Sequence, residues 1–242
     1  IRKVKPTVIF SKGGFVSVPV VMAAKLANVP VVVHESDVTP GLANKIAQPF
    51  ASHVFTVFNE TLSHLPQDKA TCVGSVIREQ LYEGNRDRGR SLCGFYNTKK
   101  VLLIMGGSLG SVVINEAVRS NLPKLLETFN IIHLCGKGNV NKELKTFNGY
   151  CQFEYVTTEL SDLLYASDYI VSRAGSNSIF EFLALHKPML LIPLSAAKSR
   201  GDQILNAELF EKKRLAHVLQ EEDLTRKTFI KAIEKLVADE EQ

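Results

Sequence analysis

The segment Val101-Leu102-Leu103-Ile104-Met105-Gly106-Gly107-Ser108-Leu109-Gly110-Ser111 decides the fold. An apolar run stops at a Gly-rich turn, and an amphipathic stretch follows at once. The segment therefore reads as a strand, a tight loop and a helix N-terminus. Such a junction gathers unpaired backbone N–H groups and the positive end of a helix dipole at one place, which suits a phosphate. Its glycines permit close backbone approach and positive φ. One junction of this kind is a weak signal. Two more loops of the same design, Ser11-Lys12-Gly13-Gly14-Phe15 and Arg173-Ala174-Gly175-Ser176-Asn177-Ser178, make it a strong one.

Outward from that segment, apolar runs of strand length alternate with helix-period segments. Strands are predicted at Thr7–Phe10, Val29–Val33, Val54–Val57, Thr71–Val73, Val101–Met105, Ile131–Leu134, Phe153–Val156, Tyr169–Ser172 and Met189–Ile192. Helices are predicted at Val16–Ala27, Thr39–Phe50, Gln203–Lys213 and Thr228–Ala238. Another follows Ser111, with an apolar stripe that includes Ile114, Val118, Leu122 and Leu125; Pro123 should kink or split it. This alternation predicts parallel sheets covered on both faces, with ligands beyond the carboxyl ends of the strands. All three Gly-rich loops fall there. The charged, Gly-bounded stretch Gly84–Arg90 reads as an interdomain connection. The expected fold class is thus α/β, with two Rossmann-like domains facing a cleft: residues 1–83, a connection at 84–98, and residues 99–242.

The chain has 242 residues, 45% hydrophobic and 22% charged, which fits a globular protein with a sizeable core. A formal charge of +4 is mild and fits a slightly basic surface, with contact to an anionic partner as the less favoured reading. No apolar run reaches membrane-spanning length and no signal peptide is evident. The first residue is Ile1 rather than Met, and Ile1-Arg2-Lys3-Val4-Lys5-Pro6 reads as the end of a helix entering a strand, so the chain is expected to begin inside a domain. Cys72, Cys93, Cys135 and Cys151 lack metal-ligand or CxxC spacing and read as free thiols. The scattered histidines and the lack of an Asp-x-Asp pair argue against a metal site.

Several residues at strand ends could carry chemistry. Glu181 lies just inside the helix that follows Arg173–Ser178. It could accept hydrogen bonds from two vicinal hydroxyls, as on a ribose, or simply stabilise the helix dipole; the two readings weigh about equally. Gln203 offers a donor and an acceptor suited to sugar hydroxyls, though a lone Gln is more often an ordinary surface residue. Asp202 is the expected N-cap of its helix. His34-Glu35-Ser36-Asp37 could serve acid–base chemistry, or turn chemistry with an N-cap. Arg78, in Gly74-Ser75-Val76-Ile77-Arg78, could reach a diphosphate with its planar fork, or form a surface ion pair.

Five motifs together resemble one family: Lys12-Gly13-Gly14-Phe15-Val16-Ser17; His34-Glu35-Ser36-Asp37-Val38-Thr39-Pro40-Gly41-Leu42-Ala43-Asn44-Lys45; Gly106-Gly107-Ser108-Leu109-Gly110 with Ile114-Asn115; Arg173–Glu181; and Arg200-Gly201-Asp202-Gln203-Ile204-Leu205-Asn206-Ala207. They run nearly the whole chain, in order and in spacing, like the MurG family of peptidoglycan N-acetylglucosaminyltransferases. The wording is most like that of Gram-positive, Bacillus-like members.

The resemblance implies a GT-B fold and an inverting transfer of GlcNAc from UDP-GlcNAc to lipid I, giving lipid II. It implies no cofactor and no metal at the nucleotide. For the donor it implies Thr157 backbone at the uracil, Glu181 at the ribose, and Arg78 and Ser108 at the diphosphate. The turn of Ser176, Asn177 and Ser178 would lie beneath the diphosphate, with Gln203 at the sugar. Gly13, Gly14, His34, Glu35 and Asn44 would face the acceptor. The implied partners are UDP-GlcNAc, lipid I, an anionic membrane surface and other cell-wall synthesis enzymes, with no nucleic acid. The implied location is peripheral, on the cytoplasmic face of the cell membrane.

The chain departs from the family pattern in three ways. The family's first Gly-rich loop carries a His assigned as general base or acceptor-site residue. That base is expected upstream of Ile1, so the first domain is expected to be incomplete. His34 and Glu35 are then the substitutes within the chain. The family's C-terminal helix is also expected to be cut short at Gln242, and Lys25 stands where members can carry a membrane-docking aromatic. Lys3, Lys5 and Lys25 would leave an electrostatic attraction of roughly 1 kcal/mol each near anionic lipid. Two alternatives are a UDP-GlcNAc 2-epimerase of the same fold and a non-catalytic UDP-sugar binder. A dinucleotide dehydrogenase is disfavoured, because no G-x-G-x-x-G follows a strand.

Overall fold

Short runs of β-branched residues, each followed by a turn and a helix, build two parallel sheets. The computed structural model describes residues 1–107 and 109–240, which fall into two compact units divided between Val76 and Ile77. The first unit holds β1 (Ile9–Ser11), α1 (Ser17–Leu26), β2 (Val31–Glu35), α2 (Leu42–Ala47), β3 (His53–Thr56) and β4 (Ala70–Cys72). Its strands lie in sequence order, with Ile9 opposite Val31 and Val33 opposite Val54. Val21, Ala24, Val31, Val33, Ala47 and Val54 form its core, and Ile1 packs half-buried against it. Residues 1–6, expected as the end of a helix, form only a turn, in which the Lys5 N–H donates to the Ile1 carbonyl at 2.7 Å. Lys5 there has φ +49°, outside the helical region, and Pro6 follows it, so no helix runs into β1. The predicted helix Thr39–Phe50 is shorter than expected. Gly41 is extended, and the chain tightens to a 3₁₀ turn at Gln48–Phe50, where Pro49 cannot continue an α-helix.

The second unit begins with α3 (Arg86–Leu92), β5 (Lys100–Met105), α4 (Val112–Ser120), α5 (Leu122–Thr128), β6 (Phe129–Leu134) and β7 (Tyr150–Phe153). It continues with α6 (Leu160–Ala166), β8 (Tyr169–Ser172), α7 (Ser176–Ala184), β9 (Met189–Leu191), α8 (Asp202–Lys212), β10 (His217–Val218) and α9 (Arg226–Glu240). The strand order is β7-β6-β5-β8-β9-β10, with every pairing parallel. This is the doubly wound Rossmann order, in which the winding reverses between the first and fourth strands. Here those strands are β5 and β8, and each ends at one of the predicted Gly-rich loops. Leu102, Ile104, Ile131 and Val171 pack with Ile114, Val118 and Phe229 on one face. Leu103, Ile132 and Ile170 on the alternate positions are also fully buried, as a sheet covered on both faces requires.

Local details differ from the expectations in informative ways. Pro123 splits the helix after Ser111 into α4 and α5. The strand expected at Phe153–Val156 lies earlier, at Tyr150–Phe153. Gly149, at φ +84°, ends the preceding turn and sets Tyr150 opposite Ile131, while Val156 is buried in the loop beyond. Gly201, not Asp202, is the N-cap of α8, in a left-handed conformation that favours glycine. Residues 84–98, expected as a connection, form α3 and a turn within the second unit. There Arg88 pairs with Asp162 of α6, and Gly89 lies against the Asp162 carbonyl.

Candidate functional site

Beyond the carboxyl ends of β5, β6 and β7 lies a cavity of about 360 Å³, within the usual range for small-molecule sites. Its floor is apolar: Met105 and Leu134 end their strands, and Val156 and Leu160 close the far side. Its rim is polar, with Arg78, Gly107, Thr157, Asn177, Ser178 and Glu181. An apolar slot opening onto a helix N-terminus fits a flat base attached to an anionic group. The first-turn N–H groups of Ser176, Asn177 and Ser178 have no partners inside α7 and carry the positive end of its dipole.

Two predicted residues meet directly. Arg78 donates from Nε to Glu181 Oε1 at 3.0 Å, and its terminal nitrogen lies 2.8 Å from the same oxygen. The guanidinium is 57% exposed and the carboxylate 16%, so the pair sits at the cavity mouth. The Thr157 N–H donates to the Glu159 carboxylate at 3.3 Å. Ser108 lies outside the described residues. Gln203 is not among the cavity's lining residues; its Oε1 accepts the Leu194 N–H at 3.0 Å and braces the loop after β9.

Sequence reasoning assigned Arg173 no role, yet it is the best-connected polar side chain here. It stands just after β8 and is 8% exposed. It donates to the Ile192 and Pro193 carbonyls at 3.1 and 3.2 Å and to Ser111 Oγ at 2.6 Å, and it pairs with Glu221. The signal that could have flagged it is an Arg placed directly after an otherwise apolar strand. Nearby, Tyr150 donates to His133 Nδ1 (2.8 Å) if the ring is neutral with its proton on Nε2; that proton then goes to Asn115 Oδ1 (2.9 Å). Asn115 in turn donates to the Cys135 carbonyl at 2.9 Å. Burial, aided by the Arg119 charge, pushes the His133 pKa down to about 3, which agrees with the neutral ring.

In the first unit the residues expected on the acceptor side cluster. Gly13, at φ +88°, lies against Asn44, so that an added Cβ would sit 3.1 Å from Asn44 Oδ1. Glu35 is 3% exposed. It accepts the Asp37 and Gly41 N–H groups at 3.0 and 2.9 Å and Asn44 Nδ2 at 2.8 Å. A carboxylate so engaged orders the loop between β2 and α2. His34 has a pKa lowered by burial and then by the Lys12 charge, with Glu35 opposing; among the described residues its buried Nδ1 has no hydrogen-bond partner. The general base expected upstream of Ile1 falls outside the sequence. No group of three metal-ligating side chains occurs among the described residues.

Two Rossmann-like parallel-sheet units, the second with a cavity at the carboxyl ends of its strands, define a GT-B glycosyltransferase fold. The sequence comparisons agree. Residues 101–242 match the Glycosyltransferase family 28 C-terminal domain, and residues 1–56 match the Glycosyltransferase family 28 N-terminal domain. Over all 242 residues the chain is 58% identical to UDP-N-acetylglucosamine--N-acetylmuramyl-(pentapeptide) pyrophosphoryl-undecaprenol N-acetylglucosamine transferase 2 of Bacillus cereus, covering 69% of that protein. It is also 58% identical to the transferase of the same name, without the number, from Geobacillus thermodenitrificans, covering 68% of it. Among solved structures, Acinetobacter baumannii MurG superposes with a TM-score of 0.75 at 24% identity, over 98% of this chain and 66% of that one. The UDP-GlcNAc 2-epimerase of Neisseria meningitidis gives 0.68 at 16% identity, over 99% and 70%. The chain thus spans about two thirds of the length of these relatives. The chain belongs to glycosyltransferase family 28, in its MurG branch.

Proposed function

We infer that the protein transfers N-acetylglucosamine from UDP-GlcNAc to the undecaprenyl-pyrophosphoryl N-acetylmuramyl-pentapeptide, lipid I, forming lipid II in peptidoglycan synthesis. The observation that carries this is the cavity at the β5–β8 switch point, with its apolar floor, helix N-terminus and Arg78–Glu181 rim, in a chain 58% identical to transferases of that name. In this reading uracil lies over Met105, Leu134 and Leu160 against the Val156–Thr157 backbone. The ribose hydroxyls donate to Glu181. The diphosphate lies between Arg78, the Gly106–Gly110 loop and the N-terminus of α7, and the sugar extends toward Gln203.

Transfer is then one inverting displacement. The acceptor hydroxyl attacks the sugar carbon, the bond to the diphosphate breaks, and a base takes the hydroxyl proton. Charge accumulating on the departing UDP is stabilised by preorganised N–H groups and Arg78, with no metal required. Within this chain His34 and Glu35 are the candidates for that base; burial and the Lys12 charge lower the His34 pKa. A lipid-linked acceptor holds the reaction at a membrane surface, and a nucleotide-sugar donor sets it on the cytoplasmic face as a peripheral protein. No helix among the described residues is long and apolar enough to cross a membrane.

The test combines calorimetry with a transfer assay. UDP and UDP-GlcNAc should bind equally well with and without EDTA, and label from UDP-GlcNAc should pass to a soluble lipid I analogue. Loss of UDP binding on chelation overturns the metal-free reading. Release of an epimerised sugar in the absence of acceptor favours the epimerase instead.

A further inference from the structure

Arg173, Glu221, Lys198 and Ser111 form a chain of contacts that the donor reading above leaves unexplained. β5, β8, β9 and β10 lie side by side in one sheet, and the segments after all four converge on Arg173. Ser111 closes the Gly-rich loop after β5. Its Oγ accepts from Arg173 at 2.6 Å and, as the N-cap of α4, from the Ile114 N–H at 3.4 Å. Glu221 follows β10; its side chain is 5% exposed, and it pairs with both Arg173 and Lys198. Burial alone would raise its pKa, but the two cations outweigh this and hold it below the usual carboxylate range. Lys198, 2.7 Å from Glu221, sits midway along the Leu194–Gly201 loop. That loop is held to α8 by Gln203 and to itself by Ser199, whose Oγ donates to the Ser195 carbonyl at 3.1 Å.

We propose that Arg173 is a positioning residue that couples the Gly106–Ser111 loop, through Ser111, to the Leu194–Gly201 loop, through Glu221 and Lys198. Resting on the donor-site reading, the first loop holds the diphosphate, and the second is fastened to Gln203, toward which the sugar extends. One buried guanidinium then sets their separation. A buried charge is well suited to this, because leaving any partner unpaired is costly and the spacing cannot drift. The planar fork also fixes the angle between its partners, which a lysine ammonium would not do.

The test is a double-mutant cycle on UDP-GlcNAc affinity, using Ser111→Ala and Lys198→Met. These residues make no hydrogen bond with each other. Lys198 is 56% exposed, so its loss leaves the core intact, and thermal unfolding of each variant checks this. Each single change is expected to weaken UDP-GlcNAc about three- to tenfold. The double variant should lose less than the product of the two, by more than about twofold, because one loose arm already frees the spacing. In a Glu221→Gln background the coupling should disappear. Lys198→Met should leave bare UDP within about twofold of the unmutated protein. Multiplicative losses, or coupling that survives Glu221→Gln, overturn the proposal. Failure of the unmutated protein to bind UDP instead overturns the donor-site reading.

Discussion

Replacing Arg78 by Met should move the affinities for uridine and UDP in opposite directions. Arg78 and Glu181 are bonded to each other, at 3.0 and 2.8 Å on one carboxylate oxygen. In the donor reading each has another partner to serve, the diphosphate for Arg78 and the ribose for Glu181. Uridine brings no phosphate, so its ribose must compete with Arg78 for Glu181. The guanidinium is largely solvated, 57% exposed, so the competition is worth about 0.2–1 kcal/mol. Removing Arg78 should therefore strengthen uridine binding by up to about fivefold. UDP loses a charge-assisted contact worth roughly 1.5–3 kcal/mol, only partly offset by the same release, and should bind about two- to a hundredfold more weakly. Calorimetric or NMR titration with uridine and UDP, at one ionic strength, measures both. If uridine and UDP weaken together in Arg78→Met, the guanidinium supports the nucleoside itself and the competition argument is refuted.

Two other predictions follow from the groups that hold the Gly-rich loop. Gly110 sits at φ +76°, with an added Cβ only 2.0 Å from the Cys135 carbonyl oxygen. Gly110→Ala should cost about 2–5 kcal/mol from backbone strain and overpacking combined. Chemical denaturation measures it, and an unchanged midpoint would contradict the packing. His133 is neutral when folded, with its pKa lowered to about 3 from the ordinary value of 6.5. Its contribution is therefore fully present above about pH 6.5 and lost as pH falls toward 3, because the unfolded chain takes up the proton first. The slope should reach about 1.4 kcal/mol per pH unit between those limits. His133→Gln should flatten urea-unfolding stability across that window, and an identical slope in both proteins would show that His133 is not the responsible group.

The second sheet was largely legible from sequence because its strands are fully buried. A parallel strand covered on both faces must be apolar at every position, so Val101–Met105 and Tyr169–Ser172 announce themselves, and the loops that follow lie beyond their carboxyl ends. Family membership was legible as well, because phosphate-binding turns need particular glycines and small polar residues at fixed spacing. Tertiary structure decided what periodicity cannot encode. It moved β7 to Tyr150–Phe153, since register depends on where Gly149 lets the chain turn toward Ile131. It set Arg78 against Glu181 across more than a hundred residues of chain, an ion pair that sequence could only weigh against a ligand contact. It turned Gln203 toward Leu194 and made Arg173 the junction of four strand ends. Local sequence fixes backbone preference and burial, but the partner of a long polar side chain depends on which strands become neighbours. That order, β7-β6-β5-β8-β9-β10, exists only once the sheet has assembled.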